Sequence, residues 1–323
     1  MQGQSVDGTR PPGGAARLTL VSAAWLLLLV GLARYGARLL PTSLARLLTL
    51  EQFLTLVQLV ALTFGLVASF LLLRQPRNEL GLTRASGRSV LLTSLLAPAI
   101  YVLASYLAVA IALPTLLDEI RRGGVQLARS QTGEFGRALT HASVWPSVLW
   151  AVVVSPIGEE FLFRGVLWSL AQRLVARFSK PPASEALSQR FIKESSVVTL
   201  GRKLAGWWRS GGGATLLSGV VFALLHADMP GGQGIIRLVA ASCLAFACGS
   251  ARQATGGLAA PIALHVIFNF LSLATARRWI VFAALPKWFM VPTLASLIAA
   301  VGLVLTLAIW LATRRPARPQ ASD

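Results

Sequence analysis

The stretch Pro156-Ile157-Gly158-Glu159-Glu160-Phe161-Leu162-Phe163-Arg164-Gly165-Val166-Leu167-Trp168 decides how this chain is read. Two adjacent carboxylates and an arginine are the only charged residues in the run 142–171, which is otherwise long and apolar enough to cross a bilayer. A charge at bilayer depth costs about 2.5–3.5 kcal/mol even on the gentlest scale, so three of them demand a reason. Such groups face a bundle interior or a wet cavity, where they pair or do chemistry. Only 12 of the 323 residues are acidic, so an acidic pair here is not a by-product of composition.

The wider composition agrees with a membrane setting. The chain is 55% hydrophobic and 13% charged, with a mean hydropathy of +0.66. Soluble domains carry about 25% charged residues. The net charge of +18 would suit nucleic acid if the basic residues were clustered on one surface. They lie instead at the ends of apolar runs and between them, where arginines anchor spans and set orientation. Nucleic acid is therefore excluded as a partner. Cys243 and Cys248, the only cysteines, are five apart in one apolar segment and fall on different helix faces. They read as small packing residues.

Read outward from 142–171, the apolar runs predict an all-α, polytopic membrane helix bundle with about eight transmembrane helices. The spans are 18–33, 53–73, 89–117, 142–171, 214–228, 235–251, 257–276 and 288–312. Pro98 and Pro114 predict a kink or tilt in the third. His226 is followed by the helix-breaking Asp228-Met229-Pro230-Gly231-Gly232, which at membrane depth is tolerated only beside a cavity. The predicted organisation is a disordered tail over 1–17, N-terminal membrane helices over 18–141, a core over 142–276, a last helix over 277–313 and a basic tail over 314–323. The run 18–33 has no clear cleavage site after it and reads as the first membrane helix. Lys/Arg counts place both termini in the cytoplasm, in a plasma or inner membrane. The basic segment 172–213, with Trp207-Trp208, reads as a cytoplasmic loop with interfacial tryptophans.

Depth brings distant residues together. Counting at 1.5 Å per residue from the cytoplasmic end, Glu159 and Glu160 lie about 17 Å in, His226 about 18 Å and His265 about 12 Å. Three helices thus carry ionisable groups at one level. Glu160 and Arg164 are i,i+4 and can pair. Glu159 points about 100° away and lacks such a partner, which leaves it free to act as a general base. His265 and Asn269 are also i,i+4, and two adjacent donors could hold a developing oxyanion. Interhelical polar glue would account for Glu160, Arg164 and Asn269. It leaves Glu159 and the second histidine unexplained.

The series Glu-Glu-x-x-x-Arg (159–164), Phe-x-x-x-His (222–226) and His-x-x-x-Asn (265–269) resembles the CPBP family, the CAAX-protease and bacteriocin-processing (Abi) intramembrane proteases, which include type II CAAX prenyl endopeptidases. The resemblance covers about residues 142–275. It implies an endopeptidase acting on prenylated proteins, peptide precursors or sorting tails. Glu159 with His226 would activate water, His265 with Asn269 would support the tetrahedral intermediate, and Glu160 with Arg164 would order the first motif. The expected reaction is metal-free, with zinc held by Glu159, His226 and His265 as the alternative. His-Glu-x-x-His is absent, since His141 precedes Ala-Ser.

Other intramembrane chemistries fit less well. Leu216-Leu217-Ser218-Gly219 lacks the first glycine of a rhomboid-type serine site, and Asp228 is the lone aspartate near a span interior. Three histidines are too few for a membrane desaturase. A transporter or scaffold with a buried charge relay is the non-enzymatic alternative, although the inverted repeats of many transporters are not evident. The expected partners are membrane lipids and a peptide or protein substrate with a membrane-associated or C-terminal segment.

Overall fold

A computed structural model describes residues 13–39, 49–73, 75–83, 85–122, 143–178, 204–227, 230–277, 279 and 301–305. Most of those residues are helical, and no strand occurs among them. Eight helices organise them: α1 (Gly13–Leu39), α2 (Leu50–Leu72), α3 (Pro76–Leu80), α4 (Gly87–Arg121), α5 (144–178), α6 (204–225), α7 (Gly231–Thr255) and α8 (Ala259–Ala276). Five are long and apolar enough to cross a membrane: Gln52–Leu72, Gly87–Arg121, Val144–Arg177, Gly231–Thr255 and Ala259–Ala276.

Local chemistry sets the boundaries. Thr49 and Gln52 form a capping box: Gln52 N–H donates to Thr49 Oγ1 at 3.3 Å, and Thr49 N–H to Gln52 Oε1 at 2.9 Å. α3 starts on Pro76 and stops at Gly81, whose φ of 74° suits a residue without a Cβ. Ser86 caps α4 by accepting from Ser89 N–H at 3.2 Å. Pro230 precedes α7, and Gly256 closes it at φ 70°.

α4 packs against α7 and α8. Its buried Ala97, Ala104, Ala108 and Ala112 form a small-residue face that allows close backbone approach. α1 meets α2 just as closely. A Cβ on Gly65 would lie 2.1 Å from Trp25 Cδ2, so this pairing needs glycine there. Outer faces remain apolar, as lipid contact requires: Leu59, Phe64 and Leu71 on α2 and Leu95, Val109 and Ile111 on α4 are exposed.

Two expectations change, the tail and the basic segment. The expected tail 1–17 is cut short by α1, which begins at Gly13 because Ala15-Ala16 extend the helix backward from the span. Pro98 and Pro114 both lie inside the single helix Gly87–Arg121. The basic segment is helical at both ends. Trp168–Phe178 continues α5 as an amphipathic turn, and α6 starts at residue 204, so Trp207 and Trp208 are helical. The last span, 288–312, lies outside the described residues except for 301–305, which are helical.

Candidate active site

α5 reaches the site with an altered backbone. Its α-helical piece Ser155–Glu160 lies between two π-helical turns, Val148–Val154 and Phe161–Leu167. Pro156 explains the first. It has no N–H to donate, and Ser155 N–H turns to Trp150 O, five residues back. The carbonyl of Ala151 takes its hydrogen bond from outside the helix, from Asn269 Nδ2 at 2.8 Å. In the second turn, Trp168 N–H reaches Phe163 O. Widened turns of this kind are frequent at functional sites.

Glu160 and Arg164 pair as their spacing predicts, and both side chains are fully buried. Arg164 Nη1 lies 3.1 Å from Glu160 Oε1. Arg164 Nη2 donates to Ala245 O on α7 at 3.1 Å, and its guanidinium lies 4.6 Å from the centre of the Phe222 ring. Its own carbonyl accepts from Arg252 Nε at 3.1 Å. Arg164 therefore ties α5 to both α6 and α7.

His265 bridges the two glutamates. Its Nδ1 lies 2.7 Å from Glu160 Oε1, and its Nε2 lies 3.8 Å from Glu159 Oε2. An ionised carboxylate only accepts, so its partner assigns the proton to Nδ1 and leaves Nε2 facing Glu159. An oxygen atom about 2.8 Å from both Nε2 and Oε2 could sit at the apex between them. Glu159 keeps 13% of its side-chain surface open, whereas Glu160 keeps none. The outer carboxylate can meet a substrate and the inner one cannot.

Glu159 has a local partner that motif reading missed. Ser155, one turn earlier, donates its hydroxyl to Glu159 Oε1. The i,i+4 spacing of the two residues was the available signal.

His226 caps the end of α6, with its N–H bonded to Ala223 O. Its Nδ1 lies 2.8 Å from Phe222 O and its ring stacks on Phe222, with centroids 4.3 Å apart. Nε2 is left without a hydrogen bond to any described residue. Phe222 also meets His265 edge-on at 5.9 Å, so one buried aromatic ring spaces the two histidines. The helix break expected after His226 is present, since α6 ends at Leu225. Glu159 approaches His265, and Asn269 Nδ2 holds the Ala151 carbonyl.

The expected metal trio of Glu159, His226 and His265 does not gather within 4.8 Å among the described residues. The described group that does gather is Glu160, Cys248 and His265, with donor atoms within 4.8 Å of one another. An ion on this group would have to displace or sit beside contacts already made. Two of its donors are bonded to each other, Cys248 Sγ points to Pro261 O at 3.6 Å, and the Arg164 cation stands 3.1 Å from the same Glu160 oxygen.

Residues 141–271, which contain this whole cluster, match a family model described as "Type II CAAX prenyl endopeptidase Rce1-like". No curated protein and no solved structure matches the chain.

Proposed function

We propose that this chain, whose residues 141–271 match the Rce1-like type II CAAX prenyl endopeptidase model, is an intramembrane endopeptidase that hydrolyses a peptide bond near a membrane-anchored end of its substrate. The observation that supports it is His265, fixed on buried Glu160 at 2.7 Å and facing the more open Glu159 at 3.8 Å.

Glu159 takes a proton from water as the water oxygen bonds to the scissile carbonyl carbon. The second amide hydrogen of Asn269 and the unengaged Nε2 of His226, when protonated, are the donors for the oxyanion. Glu159 hands that proton to the adjacent His265 Nε2, which passes it to the leaving nitrogen as the C–N bond breaks. The products are an amine and a carboxylic acid, which releases its own proton to solvent. Glu160 and Arg164 do not meet substrate; they hold His265 in the orientation that this transfer needs.

Both termini lie in the cytoplasm in this reading, within a plasma or inner membrane, and the substrate enters from lipid. The test is cleavage of a farnesylated CAAX-type peptide by the purified protein in lipid nanodiscs, with the unprenylated peptide alongside. Cleavage of either that is lost in Glu159→Gln supports the protease. Equal cleavage by wild type and Glu159→Gln overturns the role of Glu159. A well-folded wild type that leaves both peptides intact, and leaves the membrane proteins of its source cells the same size as in a Glu159→Ala strain, favours a transporter or scaffold.

A further inference from the structure

α2 lies wholly outside residues 141–271, yet it sends one polar group toward the candidate site. Gln58 interrupts the apolar run Leu56-Val57-Gln58-Leu59-Val60. Holding an amide in such a run is costly unless its hydrogen bonds are made. Gln58 Nε2 lies 3.4 Å from Ser155 Oγ, and Ser155 Oγ in turn donates to Glu159 Oε1. The other end of the amide lies against Gly158, where a Cβ would come 3.2 Å from Gln58 Oε1. Glycine at 158 leaves the room in which the amide sits.

The direction of the chain follows from proton counting. A serine hydroxyl has one hydrogen, and Ser155 spends it on the Glu159 carboxylate. Toward Gln58 the hydroxyl can only accept, so the amide must be the donor. The order is Gln58 N–H to Ser155 O–H to Glu159, and each donor polarises the next. The carboxylate is gripped at Oε1 and turns Oε2 to His265.

We propose that Gln58 is a positioning residue that acts through Ser155 to fix the Glu159 carboxylate, so the N-terminal helices complete a site whose motifs lie entirely within residues 141–271. This rests on the reading of Glu159 as the base. Small errors in the placement of a reacting group cost large factors in rate, so the effect belongs in kcat.

The experiment uses the full-length protein in nanodiscs, with two readouts. For cleavage of the farnesylated peptide, Ser155→Ala is expected to lower kcat about tenfold to a hundredfold, and Gln58→Leu about threefold to tenfold, with KM within about twofold. Ser155→Thr, which keeps the hydroxyl, restores most of kcat. Adding Gln58→Leu to Ser155→Ala costs nothing further, because the link is already cut. The second readout needs no turnover. With only 12 acidic residues in the chain, the infrared carboxylate stretch of Glu159 can be assigned by its loss in Glu159→Gln. That band is expected to move in Ser155→Ala and to move less in Gln58→Leu. Equal kcat losses from Gln58→Leu in the wild-type and Ser155→Ala backgrounds would overturn the proposal, as would a band that stays in place in Ser155→Ala. If Glu159→Gln still cleaves, the catalytic reading fails by itself, and the infrared band still decides whether the link exists.

Discussion

His265 grips Glu160 through Nδ1 at 2.7 Å, and this fixes which nitrogen is left for Glu159. The two glutamates are adjacent in sequence but differ in environment. Glu160 also meets Arg164 at 3.1 Å and has no exposed surface, while Glu159 meets a serine hydroxyl and stays partly open. Position along one helix turn therefore divides a repeated residue into a fully buried anion and a partly open one.

Replacing the partly open carboxylate by its amide keeps its shape and removes the proton acceptor. Glu159→Gln is expected to lose a factor of about 10² to 10⁴ in kcat while eluting as wild type in size-exclusion chromatography. Activity within about threefold of wild type would remove Glu159 from the reaction.

Arg164 should matter first to folding. Removing it leaves the fully buried Glu160 without its cation and frees the Ala245 carbonyl, at a cost of about 3–5 kcal/mol. The amount of monodisperse protein extracted from membranes should fall much further in Arg164→Ala than in Glu159→Gln. Equal, normal amounts would deny Arg164 this role.

Asn269 offers a graded version of the same test. Asn269→Ala leaves the Ala151 carbonyl without its donor, at about 1–3 kcal/mol. Asn269→Asp also turns an acceptor toward that carbonyl, so its melting temperature should drop further than that of Asn269→Ala. The reverse order would argue against this hydrogen bond.

Metal dependence separates two routes to the same product. The donor set around Glu160 is engaged within the protein, so exhaustive chelation should leave peptide cleavage within about twofold of the untreated enzyme. Stoichiometric zinc whose removal abolishes turnover and whose return restores it would overturn the metal-free route and leave the peptidase intact.

The sequence was most legible where one helix decides the outcome. The span 53–73 corresponds to Leu50–Leu72, and the i,i+4 pair Glu160–Arg164 forms as its period requires. Partners on different helices were harder to read. Whether His265 meets Glu159 or Glu160 depends on the rotation of α5 against α8, and the two π-helical turns change that rotation without changing the apolar pattern. Gln58 was invisible for a related reason. A single glutamine in an apolar span looks the same whether it faces a serine hydroxyl or a lipid headgroup. The helical ends of the basic segment were missed because charge density suggested a loop, although Trp168–Phe178 has its apolar residues on one face.

The wide turns of α5 also bear on which changes in chain length the protein can survive. Each holds one residue more than an α-turn over the same rise, so losing a residue from Val148–Val154 would let that turn close into ordinary helix. Everything beyond it would keep nearly the same rotation, because an α-turn with one residue fewer covers almost the same rise and angle. Hydropathy would be nearly unchanged, the helix would still insert, and Glu159 and Glu160 would still face α8. A residue lost from the α-helical piece 155–158 would instead turn the start of the span about 100° relative to the two glutamates, so related chains should tolerate a one-residue deletion along 148–154 far better than along 155–158.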